Sequence, residues 1–359
     1  MDYPIRVLCV FSTLDRGGAE TMCMNLYRKI DRTKVQFDFV KHTSPKGAYE
    51  DEITSLGGYI YRAPEYRVNN HFIYCRWWER HFRNHPEHII IHGHYFTISA
   101  VYFRVAKEFG RITVGHIHAT KVNSKIKSLY IKAIKYYADY KLACSAEAGK
   151  WVYKTYSFKV FPNAIDLDKF RYSQPIRQEM RYRLGLSDEL TLGTVANLSK
   201  VKNPMGLIDI FLEINRIMPK TKLIWVGEGN LRKAIEDRIK LENIEENIIM
   251  LGAREDVSNV LQAMDVFLLP SFNEGLPVSV IEAQASGLPC LLSDKITNDV
   301  DITGMCCFLP IEQPECWART ILNMNSIRMD TSHYIKEAGF DINSTAEILQ
   351  KFYMELVSD

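Results

Sequence analysis

The 359 residues are 47% hydrophobic and 25% charged with a formal net charge of +2, the make-up of a soluble globular protein long enough for two domains of ordinary size. That near-neutral balance excludes a chain whose overall charge would recruit nucleic acid. It also contains no stretch near the ~20 apolar residues of a membrane span, and the opening run Ile5–Val10 is too short, with Asp2 and Arg6 in place of a basic leader, for a secretory signal. The eight cysteines form no Cys-x-x-Cys spacing, and Cys9, Cys144, Cys290 and Cys307 sit in strand-like apolar runs. Reduced cysteines pack there as small hydrophobes, so a reducing cytosol is expected.

In chain order, short apolar runs predict strands near 5–10, 36–40, 59–61, 88–92, 112–116 and 141–144. Helical spacing falls between them, near 19–30, 71–84, 98–109, 124–137 and 146–154. After the first strand comes Leu14-Asp-Arg-Gly-Gly-Ala-Glu20, where Gly17 and Gly18 at a helix entrance let a ligand approach the backbone. A sharp strand-to-helix turn is the plainer alternative. Two His-x-His pairs, His92/His94 and His116/His118, end strand-like runs, and a period of two turns both members of a pair to one side. Four such histidines invite a zinc reading, but no cysteine or acid completes a recognisable ligand spacing. A histidine at a strand end is often only a hydrogen-bonded structural group, and no metal is expected.

Between Lys121 and Lys159, nine lysines stand against two acids, Asp139 and Glu147. Within this block Lys125–Tyr137 alternates basic with apolar or aromatic residues at roughly helical spacing, as an interfacial helix does. An anionic membrane surface is the partner this pattern suits, and a solvated helix face is the alternative. The aromatics form no nucleic-acid motif, so no nucleic-acid partner is expected.

The turn-rich Phe161-Pro-Asn-Ala-Ile-Asp166 marks a domain boundary, which gives domains over 1–163 and 164–341 and a final helix over 342–359 returning to the first. The second half repeats the pattern with strands near 191–196, 222–226, 247–250, 265–269, 290–293 and 307–309. Its first strand runs into Asn197-Leu-Ser-Lys-Val-Lys202, where a lysine can act as a point charge on a leaving diphosphate. Gly227-Glu-Gly229 follows the next strand; a lone Gly-x-Gly is weak evidence, because tight strand-to-helix turns need glycine anyway. Arg254 follows the third, beside Glu255 and Asp256.

The most informative run is Pro270–Asp294, PSFNEGLPVSVIEAQASGLPCLLSD. Pro277 at the first helical position and Gly287 with Pro289 past the end predict a helix over about 277–286 between two buried parallel strands. Strand-to-helix loops lie at the carboxyl edge of such a sheet, where open α/β folds bind ligands. Asn273, Glu274, Gly275 and Leu276 occupy that loop, and the amides of Leu276, Val278 and Ser279 can receive a phosphate at the positive helix end. Glu282 lies one to two turns further on. A nucleotide-sugar has the matching order of parts: hydroxyls, phosphates, hydroxyls.

This run resembles the Glu-x7-Glu signature of glycosyltransferase family 4, and the resemblance extends over nearly the whole chain. It implies two Rossmann-like doubly wound α/β domains facing across a cleft (the GT-B fold), with acceptor sites in the first and the nucleotide-sugar in the second. It further implies a retaining hexosyl or N-acetylhexosaminyl transfer without a bound metal or other cofactor, the nucleotide-sugar being a substrate. UDP is the usual carrier and a lipid-linked or saccharide acceptor the usual partner. The branch most similar builds bacterial capsular polysaccharide or exopolysaccharide, which places the enzyme in the cytoplasm or peripherally on the inner face of the membrane. By resemblance His118 faces the transferred sugar and His94 lies further off, Lys202 grips the diphosphate, Glu274 orients sugar hydroxyls and Glu282 binds the ribose. Gly17, Gly18, Gly227, Arg254, Asn273, Gly275, Leu276, Pro277 and Val278 complete the donor site. Asn197 stands where the family usually has arginine, and Ala164 where its hinge usually has glycine; the first weakens one arm of the phosphate clamp, the second makes the turn less permissive of positive φ. A nucleotide-sugar epimerase of the same architecture and a non-catalytic sugar-nucleotide-binding protein are the rival readings. Hydride chemistry lacks its Gly-x-Gly-x-x-Gly with a distal ribose acid near the first strand.

Overall fold

The computed structural model describes residues 3–95, 97–118, 125–324 and 328–358, the side chains of 125–129 excepted. The chain divides into two compact units, one formed by Met1–Ala164 with Asp341–Asp359, the other by Ile165–Phe340.

The first unit holds strands Ile5–Val10 (β1), Val35–Lys41 (β2), Ile60–Arg62 (β3), His88–Gly93 (β4), Ile112–Ile117 (β5), Tyr140–Ala143 (β6) and Lys159–Val160 (β7). They form one sheet in the order β3-β2-β1-β4-β5-β6-β7, and every pairing is parallel. The second unit holds Thr191–Val195 (β8), Lys222–Val226 (β9), Ile248–Gly252 (β10), Val266–Leu269 (β11), Cys290–Ser293 (β12) and Cys306–Leu309 (β13), again all parallel, in the order β10-β9-β8-β11-β12-β13. In both sheets the strand order reverses once, between β1 and β4 and between β8 and β11. Loops leaving the carboxyl ends of those strands diverge to opposite faces and open a crevice for ligands.

The central strands are apolar on both faces because helices cover both: Val266, Phe267, Leu268 and Leu269 are all at most 1% exposed. The helix Ile342–Ser358 belongs to the first unit, where Ile342, Ala346, Leu349, Tyr353 and Leu356 recur at helical spacing and enter the core beside Val7, Cys9 and Phe37.

Two elements carry no usable period in the sequence. Strand β7 is two residues long and exposed, and the helix Glu50–Ser55 opens on Glu-Asp-Glu. What anchors that helix is a buried ion pair between Lys41 and Glu50. The helix expected over 277–286 runs Val278–Ala285, with Pro277 as its N-cap rather than its first helical residue. Gly287 ends it at φ +70°, its amide bonded to the Gln284 carbonyl at 2.8 Å. Ala164 is not among the described residues with positive φ and its side chain is 3% exposed, so this turn needs no glycine.

Candidate functional site

At the switch point of the second unit, four strand-end loops are tied together by their backbones. The Ala196 amide bonds the Val226 carbonyl at 3.0 Å, Leu198 bonds Glu228 at 3.0 Å, and Phe272 bonds Val201 at 2.8 Å. Glu274 makes an isolated parallel bridge to Ile296, beyond β12. Gly227 sits where two of these loops cross: its φ is +146°, and a Cβ there would lie 2.0 Å from the Ala196 carbonyl oxygen. The glycine that the sequence suggests as a pocket former is therefore demanded first by a backbone crossing.

This framework joins Lys202 to Glu274. The Lys202 Nζ donates to Glu274 Oε1 at 2.5 Å, and the two side chains are 20% and 13% exposed. Lys202 closes a 3₁₀ turn, Lys200–Lys202, and Asn203 behind it takes φ 51°, accepting the Gly206 amide at 3.2 Å to start the helix Pro204–Ile217. An ammonium has three donors, so Lys202 can hold Glu274 with one and offer the others to phosphate oxygens. No side chain caps Val278–Ala285, and its first turn carries no acid, which leaves the positive helix end open to an anion. Leu276 and Val278 pack against the core beneath that turn, while Asn273 is exposed.

Glu282 stands in the second turn of this helix. Burial pushes its carboxyl up to about 8, and among the described residues it has no ion-pair partner. A neutral carboxyl can both donate to and accept from a hydroxyl. Arg254 is engaged elsewhere: Nε and Nη2 donate to the two carboxylate oxygens of Asp256 at 2.7 and 2.6 Å. That local fork competes with any role toward a ligand. Asn197 is exposed, and its Oδ1 accepts from Ser199 Oγ at 2.7 Å.

In the first unit the helix Gly18–Lys29 starts directly after β1's loop. A Cβ on Gly17 would strike the Glu20 carboxylate at 2.2 Å, whereas around Gly18 there is nothing within 4 Å. At the carboxyl ends of β4 and β5 the two His-x-His pairs converge. His94 Nδ1 and His118 Nε2 are 2.9 Å apart, and the His92–His94 and His116–His118 ring centroids are each 4.1 Å apart. Burial pushes His92 and His118 down to about 3, and His94 and His116 well below the usual imidazole range. All four are therefore neutral.

Three further residues at these edges gave no motif signal. Thr194, in β8, and Ser271, just past β11, are at most 1% exposed, and their hydroxyls have no partner among the described residues. Tyr353, in the last helix, bonds His92 Nδ1 at 2.5 Å. Of the lysine-rich block, 121–124 and the side chains of 125–129 lie outside the described residues. Beyond them Lys135 lies over the rings of Tyr136 and Tyr156, and Tyr136 is 63% exposed. Among the described residues no helix is long and apolar enough to cross a membrane.

The family description "Glycosyltransferase Family 4" matches residues 16–169, and "Glycosyl transferases group 1" matches 176–304. EpsF of Bacillus subtilis (strain 168), a glycosyltransferase by designation, is 32% identical over 97% of this chain and 96% of its own. An Escherichia coli enzyme, UDP-Gal:alpha-D-GlcNAc-diphosphoundecaprenol alpha-1,3-galactosyltransferase, is 33% identical over 39% of this chain and 37% of its own. Among solved structures, HepE from Anabaena in complex with UDP and glucose superposes with a TM-score of 0.78 over 98% of this chain and 99% of its own, at 17% identity.

Proposed function

This chain belongs to glycosyltransferase family 4 and has its two Rossmann-like domains, and from that premise we propose a retaining transfer of a hexosyl or N-acetylhexosaminyl unit from a UDP-sugar to a lipid-linked or saccharide acceptor in cell-surface polysaccharide synthesis. The single observation that carries the donor assignment is the Lys202–Glu274 pair at the second unit's switch point, beside an uncapped helix start and the unpaired Glu282. The named substrates of the Escherichia coli relative, a UDP-sugar and a diphosphoundecaprenol acceptor, support the substrate classes.

In this reading the second unit binds the donor and the first the acceptor. The bond from the anomeric carbon to the phosphate oxygen breaks, the carbon gains oxocarbenium character, and negative charge accumulates on the departing diphosphate. Lys202 and the amides of Leu276, Val278 and Ser279 stabilise that charge, aided by Gly17 and Gly18, Asn273 and Gly275 line the loop, and Pro277 holds the helix entry. Asn197 adds neutral donors where a cation is usual. Glu274, held by Lys202, orients sugar hydroxyls; Glu282, neutral near pH 7, binds the ribose; His118 faces the transferred sugar. The acceptor oxygen attacks the same face and its proton passes to a departing phosphate oxygen. A retaining glycosidase pair must flank one bond at ~5–5.5 Å, a task the hydroxyl-clamp roles of Glu274 and Glu282 do not require. The transfer step needs no divalent cation on the phosphates. A cytoplasmic enzyme meeting the membrane through the basic 121–159 segment completes the proposal.

The test is transfer from UDP-sugars to lipid-linked acceptor in membranes, with product configuration read by NMR. The expected product keeps the donor's anomeric configuration, Glu274→Ala lowers the rate about a hundredfold, and added Mg²⁺ or Mn²⁺ leaves it unchanged. Wild-type transfer by Glu274→Ala overturns the site, and release of an epimerised nucleotide-sugar without acceptor overturns the transferase reading.

A further inference from the structure

Parallel pairing sets β4 beside β5 with His92 opposite Val114 and Gly93 opposite Gly115, so the two His-x-His pairs fall on one face of the sheet. That face is the one packed by the last helix. Four neutral imidazoles, three buried and His118 half-buried, carry four N–H donors and four lone pairs, and only some of these meet a partner. Among the described residues His92 Nε2 and His94 Nε2 are buried and have no partner; the nitrogens of His116 and His118 Nδ1 make no hydrogen bond of good geometry, although His116 faces the Phe161 backbone and His118 the Asn163 side chain. His92, His94 and His116 are 2%, 5% and 0% exposed, so bulk water does not reach them.

The nitrogens that do have partners form a pattern. His92 uses Nδ1 toward the Tyr353 hydroxyl and His94 uses Nδ1 toward His118 Nε2; in the tautomer in which Nδ1 carries the proton, the buried Nε2 of each keeps a free lone pair. Metal-bound histidines use their second nitrogen in this way, since the outer hydrogen bond fixes the tautomer and the ring plane. The same sheet supplies a contrast at its other edge. There His88 Nε2 bonds Asp38 at 2.8 Å, His81 bonds His88 at 3.1 Å, and neither histidine has an unpartnered buried nitrogen. A carboxylate satisfies that pair; among the described residues none bonds the upper cluster.

We propose that His92 Nε2, His94 Nε2 and one ring nitrogen of His116 bind a zinc-type divalent ion within the first unit. One nitrogen from each of the three lies within 4.8 Å of the others, and an ion between them would draw them together to the ~2.0–2.1 Å bonds of a zinc–imidazole site. Imidazole nitrogen without carboxylate selects borderline transition metals over Mg²⁺ or Ca²⁺. Burial keeps the rings in their neutral, ligating form near pH 7. The ion is structural: it binds orphaned lone pairs in the core of the first unit, and the donor phosphates have their own partners in the second. One competing set shares His94, the buried group Cys9, Cys23 and His94.

The full chain, freed of any affinity tag and stripped with a chelator, is titrated with Zn²⁺ against a chromophoric competitor. The expected result is one equivalent per chain with a melting temperature that rises with free Zn²⁺. His92→Gln with His116→Gln should lower the affinity at least a hundredfold with circular dichroism retained, while Cys9→Ala with Cys23→Ala keeps full stoichiometry. Should the histidine variant fail to fold, Co²⁺ bound to the wild-type chain decides: d–d bands without a thiolate charge-transfer band support the three-histidine set, and a thiolate band overturns it. No Zn²⁺ or Co²⁺ taken up by the wild-type chain, or stoichiometry lost with the cysteines, also overturns it.

Discussion

At the switch point of the second unit the chain brings opposite charges together, Lys202 and Glu274 at 2.5 Å, while the carboxyl edge of the first unit gathers four imidazoles that burial keeps neutral. Both edges arise from the same parallel winding, so topology explains where they are and not what they do. The difference lies in the residual demand of each. The charged edge keeps spare donors, an open helix end and an acid with no counter-ion among the described residues, which suits an anionic ligand flanked by hydroxyls. The neutral edge keeps unpartnered nitrogens on the buried His92, His94 and His116, which suits a cation.

Acidification should separate the two most strongly. His92 and His118 are held at about 3, below the usual imidazole pKa of about 6.5, so between those values the unfolded chain binds more protons than the folded one. Their stability contribution is present above about pH 6.5 and is lost as pH falls toward 3. Going from about pH 7 to about pH 5 is expected to cost ~2 kcal/mol for each of these two histidines, seen as a lower melting temperature. An unchanged melting temperature contradicts the enclosure of these rings.

Next in size is Gly227→Ala. With φ at +146° and a Cβ placed 2.0 Å from a backbone oxygen, the substitution should destabilise the second unit. Denaturant titration is expected to read ~3 kcal/mol, because the carbonyl it meets belongs to a strand-end loop that cannot swing aside. A loss under about 1 kcal/mol would show that the loop crossing is loose.

Glu282 sharpens the comparison from the charged side, because its carboxyl is pushed up to about 8. A raised carboxyl pKa means the folded state holds the proton longer, so stability falls as pH rises from about 4.5 through 8. Near pH 7 the group is mostly neutral, and Glu282→Gln is expected to keep UDP affinity within about twofold while Glu282→Ala lowers it about tenfold. Calorimetric titration checks this, and equal losses from both variants would contradict a neutral hydroxyl clamp. The smallest effect belongs to Gly18→Ala, where open space predicts a stability change within about 0.5 kcal/mol by thermal melt.

Much of the second unit was legible in the sequence because its signals are local. Pro277, Gly287 and the apolar runs on either side outline a strand, a loop and a helix within one run, and each strand expected there is present to within a residue or two. What the sequence hides is pairing at a distance. Lys202 and Glu274 are 72 residues apart, and only the adjacency of β8 and β11 joins them. The same holds for His92, His94 and His116: spacing along either strand shows no ligand set, and the register of β4 against β5 creates the cluster. Arg254 shows the opposite case, since its partner Asp256 is two residues away and local sequence already sets the pair side by side.

The donor assignment stands or falls on Lys202. Calorimetric titration of the full chain with UDP, beside the variant Lys202→Met, measures its role without requiring the acceptor. Affinity should fall at least about tenfold, because the side chain spares donors for phosphate beyond the one it gives Glu274. Equal UDP affinity in the two proteins would contradict a nucleotide site at this edge.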